Sequence, residues 1–260
     1  MTPTSWTKYR ANWNEGSDAA AELVPALAEH GIVLLDGLHG PHDLLQLARA
    51  VAEIVPHRDS DAAGITTIAD MGGHVRSGFA GFTARALQPH TDRSGVADPP
   101  ALLMMSCGQP AASGGECVVI DGKLVYDDLA EFDTEALTAL CTARSVLFGG
   151  AAGHLGSVFT RIGDHIAVRL RLDELAQFSP EVARRLPTLR AALDRHATTF
   201  RLDAGHGYIL DNYRWIHGRR AFTGERVMFR IAGNPLPNLG LTAGFRPHHT
   251  NKREQEGQIA

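Results

Sequence analysis

The chain has 260 residues, 44% of them hydrophobic, and its 25 Lys and Arg against 29 Asp and Glu give a formal net charge of −4. This composition supports a substantial core in a single β-rich domain over 1–260, and the mildly acidic balance gives no electrostatic reason to expect nucleic acid or an anionic membrane as a partner. With no apolar run long enough to span a bilayer and no charged-then-apolar leader, the cytoplasm is the expected compartment, while three cysteines without a Cys-x-x-Cys pair, Cys107, Cys117 and Cys141, argue against a disulfide framework or structural zinc.

In chain order, an Ala-rich stretch at 17–30 predicts a helix interrupted or restarted at Pro25 and stopped at Gly31. A buried strand follows at 31–38. Pro41 suits the first turn of a helix whose Leu44, Leu47, Ala48, Val51 and Ile54 keep helical spacing as far as Pro56. The Gly-, Asp- and Thr-rich stretch 59–83, with a short strand at 65–68, predicts one edge of a pocket. It carries His74 and Arg76, which are candidate substrate contacts or, more plainly, solvated loop residues. Short strands are then expected at 101–107, 116–120, 143–148, 165–170, 199–202, 208–210 and 226–231. Helices are expected at 123–140, with Asp133 capping its second half, and at 180–196, where Arg184, Arg185, Arg190 and Arg195 read as a solvated face. A polar tail begins at about 238 and reads as frayed. The pattern is mixed but mainly β, and its strand lengths and turn spacing suit a double-stranded β-helix, the cupin-like jelly roll, with flanking helices.

The chemistry concentrates at Gln88-Pro89-His90-Thr91-Asp92. His90 and Asp92 are two residues apart, so on extended backbone they point to the same side and can reach one metal ion, while Thr91 points away. His217, in Trp215-Ile216-His217, can complete two imidazoles and one carboxylate, a set that holds iron on one face and leaves the other open. In Arg226-Val227-Met228-Phe229-Arg230-Ile231 the alternation places Arg226, Met228 and Arg230 on one face. A planar guanidinium matches a carboxylate with two parallel hydrogen bonds, and the alternative reading is an exposed strand face.

From about residue 32 to about 235 these residues resemble the taurine dioxygenase-like (TauD/TfdA) family of Fe(II)- and 2-oxoglutarate-dependent oxygenases. The resemblance rests on Pro89-His90-Thr91-Asp92 and its spacing to Pro99-Pro100, on Gly114-Gly115-Glu116-Cys117, and on Asn212-Tyr213-Arg214-Trp215-Ile216-His217-Gly218-Arg219. It implies Fe(II), 2-oxoglutarate and O2 as the reagents, with His90, Asp92 and His217 as metal ligands and catalytic centre. It also implies Arg226, nine residues beyond His217, as the partner of the distal carboxylate of 2-oxoglutarate, and Arg230 as a holder of an anionic group of the substrate. Where the family commonly has a threonine that helps to hold 2-oxoglutarate, this chain has Cys117, whose thiol is a weak donor and acceptor. The carboxylate of Asp92 favours hydroxylation or another oxidation over halogenation.

The implied function is oxidation of an unactivated C–H bond in a small molecule, with release of succinate and CO2. A free amino acid or an amino-acid-like intermediate of specialised metabolism is the expected substrate, and a sulfonate or other organic acid the second choice. Gln88, Trp215, Arg76 and His74 join Arg230 as candidate substrate contacts, with Tyr213 and Phe82 as further walls. From the residues alone, a cupin-like metal-dependent isomerase or hydrolase and a non-catalytic ligand-binding jelly roll stay open, as does homo-oligomerisation.

Overall fold

The alternating segments assemble into two facing sheets in the computed structural model, which describes Trp6 and residues 8–14, 19–72 and 78–248. The principal strands are β1 (Ile32–Leu38), β2 (Leu87–His90), β3 (Leu102–Gln109), β4 (Cys117–Asp121), β5 (Gly205–Asp211), β6 (Trp215–Arg219) and β7 (Val227–Pro235). The larger sheet, of seven strands, runs Arg10–Asn12, β1, β5, β3, β7, with Ala52–Ile54 and Thr66–Ile68 both pairing with β7. The smaller, of four, runs Thr198–Phe200, β4, β6, β2. This is the expected jelly roll.

Each sheet buries both faces, which is why its strands read as near-continuous apolar runs. Between the sheets lie Ile32, Leu34, Leu103, Met105, Tyr208, Leu210 and Met228 from one and Cys117, Val119 and Trp215 from the other. The intervening residues Val33, Leu35, Met104, Ile209 and Ile231 face outward onto helices α1 (Ala19–His30) and α2 (Pro41–Val51). Ile120 and Ile216 face outward from the smaller sheet onto α3 (Gly122–Phe132), α4 (Thr134–Cys141) and α5 (Pro180–His196). Each Leu or Ile fully buried in these layers contributes about 1.5–3 kcal/mol.

Four expectations change. The first helix runs unbroken through Pro25, because Leu23 and Leu27 dock on the larger sheet and outweigh the local penalty. The second helix stops at Val51 rather than Pro56, since Ala52–Ile54 leaves it to pair with β7. The stretch 123–140 is two helices, separated at Asp133, whose carboxylate accepts from Ala136 N at 2.9 Å and caps the second. The polar tail expected from about 238 is packed at least as far as Phe245, which is 2% exposed and bridges Ile166, while Gly244 N donates to Asp211 Oδ2 at 2.7 Å. Charge density hid that one aromatic anchor.

Candidate active site

The space between the sheets holds an apolar cluster and, beside it, a cavity that gathers the polar side chains. β2 and β6 pair antiparallel with His90 directly across from His217, so strand register alone sets their rings 4.5 Å apart, centroid to centroid. Asp92 lies just past β2 in a turn held by Asn212. The Asn212 side chain accepts from Asp92 N at 2.7 Å and donates to the carbonyls of Asp92 and Pro100 at 3.0 and 2.9 Å. Thr91 turns the other way, as alternation requires, and its hydroxyl accepts from Leu170 N at 3.1 Å. The ligand atoms of His90, Asp92 and His217 all lie within 4.8 Å of one another.

The electrostatics of the three are those of a cation site. His90 Nδ1 donates to the Gln88 carbonyl at 2.9 Å, which orients the ring and leaves Nε2 as the acceptor. Burial lowers the pKa of His90, and burial with His90 nearby pushes His217 down to about 3, so both rings are neutral. Burial alone would raise the pKa of Asp92, but Arg230 and the histidines outweigh it and the net direction is down. Arg230 Nη1 donates to Asp92 Oδ1 at 3.0 Å, whereas Asp92 Oδ2 is buried and has no partner. An ionised, buried carboxylate oxygen with nothing to bind, beside two neutral imidazoles, fits a divalent metal ion.

Arg226 stands at the entry to β7, 7% exposed, with its guanidinium 5.6 Å from the Phe222 ring. Gly115, at φ +77°, makes room for it, since a Cβ there would come within 3.3 Å of Arg226 Cδ and Nε. No carboxylate among the described residues pairs with Arg226. Cys117 lies close by on the inner face, its thiol pushed up to about 11 by burial against the pull of Arg226, so it stays protonated.

These groups open onto a cavity of about 760 Å³ whose wall includes Gln88, Phe82, His90, Asp92, Cys117, His217, Arg226 and Arg230. Trp215 is not part of that wall. It shares the inner face with His217, but one strand step deeper, where its indole donates to the His30 carbonyl at 2.9 Å and packs into the core. Tyr213 is likewise elsewhere, donating its hydroxyl to Pro99 O at 2.8 Å. His74 and Arg76 lie outside the described residues. Sequence reasoning missed His57, Arg58, Arg85 and Arg93 of the wall, and the Arg171–Asp173 ion pair at 2.5 Å beside them. These sit on separate loops with no shared spacing, so no local signal groups them.

A jelly roll that brings two histidines, an aspartate and a buried unpaired arginine to one mouth defines an Fe(II)- and 2-oxoglutarate-dependent dioxygenase. The chain belongs to the taurine catabolism dioxygenase TauD, TfdA family, whose model matches residues 7–232. It is 28% identical over 213 residues to a uridine-5'-phosphate dioxygenase from a Streptomyces species, covering 74% of each chain. Its fold matches that of asparagine oxygenase solved with Fe(II), 2S,3S-3-hydroxyasparagine and succinate, with a TM-score of 0.64 at 16% identity over 91% of this chain and 99% of that one. It matches the non-heme iron oxygenase OrfP with Fe and alpha-ketoglutaric acid equally well, at 0.64 and 16% identity over 85% of this chain and 80% of that one.

Proposed function

We propose that His90, Asp92 and His217 hold the iron, that Arg226 holds the distal carboxylate of 2-oxoglutarate, and that the enzyme oxidises an unactivated C–H bond of a small anionic molecule. The observation that carries this reading is the unpartnered, buried Asp92 Oδ2 between two neutral imidazoles. Bound iron supplies the oxidising power, using dioxygen and 2-oxoglutarate and leaving succinate and carbon dioxide. The protein supplies placement. Gln88 fixes the His90 ring through its carbonyl, Asn212 fixes the turn that carries Asp92, and Arg226 aligns the co-substrate with a two-pronged contact.

The substrate we propose is a free amino acid or an amino-acid-like intermediate whose acidic group reaches Arg230. Structures sharing the fold are an asparagine oxygenase and an OrfP bound to (3S)-hydroxy-L-Arg. A phosphate-bearing nucleoside is the second reading, favoured by the uridine-5'-phosphate dioxygenase likeness and by a cavity wall with seven arginines against four carboxylates. Such a wall suits a dianion better than a zwitterion. Among the described residues no helix is long and apolar enough to cross a membrane.

Succinate formation by the iron-loaded protein, followed across amino acids and nucleoside monophosphates, decides between the two substrates. Turnover of an amino acid supports the first reading, and turnover confined to the phosphates replaces it with the second. Full activity in metal-free protein or in His217→Ala would overturn the metal assignment itself.

A further inference from the structure

Two buried guanidiniums reach the polar end of the jelly roll, and the function proposed above uses only Arg226. Arg219 follows His217 by two residues on β6, so its side chain enters the interior from the same face. It is 6% exposed. It stands in register with Cys117 on β4 and shares the Phe222 ring with Arg226, the two guanidiniums lying 4.8 and 5.6 Å from that ring's centre.

The hydrogen bonds of Arg219 are unequal. Nη1 donates to Gly81 O at 3.1 Å, and Nη2 to Thr83 O and Arg85 O at 2.5 and 2.6 Å. The Nε–H is buried without a partner. No carboxylate among the described residues forms an ion pair with either arginine. An unmet donor and two unmet charges in one dry place are relieved together by a single anion lying between them.

Resting on the reading of Arg226 as the 2-oxoglutarate clamp, we propose that Arg219 is a second holder of the same distal carboxylate, donating through Nε from the side where Cys117 offers only a thiol. A carboxylate has about four acceptor positions. Arg226 fills two of them, the Cys117 side needs a donor, and Nε of Arg219 is the unengaged one beside it. Because the other two nitrogens of that guanidinium hold the carbonyls of Gly81, Thr83 and Arg85, the co-substrate is tied through one side chain to the wall segment bearing Phe82 and Arg85.

The test compares equilibrium binding of 2-oxoglutarate with that of 2-oxopentanoate, the same chain without the distal carboxylate, to oxygen-free Fe(II)-loaded protein by calorimetry. Arg219→Met should weaken 2-oxoglutarate by about tenfold or more, as expected for a lost charged hydrogen bond, and leave 2-oxopentanoate within about twofold. Adding Cys117→Thr to Arg219→Met should restore most of the loss, because a hydroxyl returns a donor to that side. Equal losses for both ligands would mean that Arg219 only supports the wall, and no loss would remove it from the site; either overturns the proposal. Arg226→Met separates the two levels of inference. A loss there with none at Arg219 sinks this proposal alone, while no loss at Arg226 sinks the clamp on which it rests. If Arg219→Met does not fold, Cys117→Thr in the otherwise unchanged chain gives the answer: a gain under about twofold supports a carboxylate already satisfied by Arg219, and a gain near tenfold overturns it.

Discussion

At the scale of single residues, the pairing of Arg230 with Asp92 changes what a substitution there should do. An arginine reserved for substrate would leave iron binding untouched when replaced. Here its Nη1 engages Asp92 Oδ1 and leaves Oδ2 unpartnered, so, with Asp92 as the proposed iron ligand, Arg230→Met should weaken Fe(II) binding several-fold in calorimetry before any substrate is added. Unchanged metal affinity would restrict Arg230 to the substrate. His217 gives a pH signature. Its pKa is pushed from 6.5 down to about 3, so between these values the unfolded chain binds a proton that the folded, metal-free protein refuses. Metal-free stability should therefore fall as pH drops from about 6.5 toward 3, and His217→Gln should flatten that slope by up to one proton, measurable by urea unfolding at several pH values. His90 and Asp92 were legible in the sequence from their spacing of two, although the structure brings Asp92 to His90 through the turn held by Asn212 rather than through a continuing strand. Trp215 was misplaced for a related reason: alternation says which face a residue occupies, and not how deep along the strand it lies.

At the scale of elements, the turn after β2 is held by one amide. Asn212 makes three buried hydrogen bonds to residues 92 and 100, so Asn212→Ala should cost at least about 2 kcal/mol in unfolding free energy, since buried backbone groups are left unpaired. It should also reduce Fe(II) affinity, because Asp92 rides on that turn. A stability loss with iron binding intact would separate the turn from the metal site. The helix starts were readable from proline and acidic capping signals, as at Pro41 and Asp133. β6 was not, because Trp215-Ile216-His217-Gly218-Arg219 mixes an aromatic, a glycine and two basic residues and shows no apolar alternation. Its polar side chains face inward, against the usual pattern, because they build the site.

At the scale of the whole molecule, the order is helices, large sheet, small sheet, helices, and the last described segment closes the outer layer. Phe245 is 2% exposed in the cluster formed by α3, α4, α5 and the smaller sheet. Phe245→Ala should cost about 3–5 kcal/mol and lower the melting temperature, whereas a frayed tail would give no change. The fold class was visible in the rhythm of short strands and turns. The cavity wall was not, because His57, Arg58, Arg85 and Arg93 meet only after loops from distant parts of the chain converge.

With Trp215 packed into the apolar core beside it, the cavity at the polar end is shared by all the groups of the site. Arg226 is buried within it, while Arg58 and Arg85 stand at its exposed rim. Molecules that share one cavity must queue. With 2-oxoglutarate held by Arg226 as proposed, the co-substrate would enter before the substrate and succinate would leave after the oxidised product. Turnover in such a cavity is ordered by position, and a tightly held product acts as a stopper for the whole cycle.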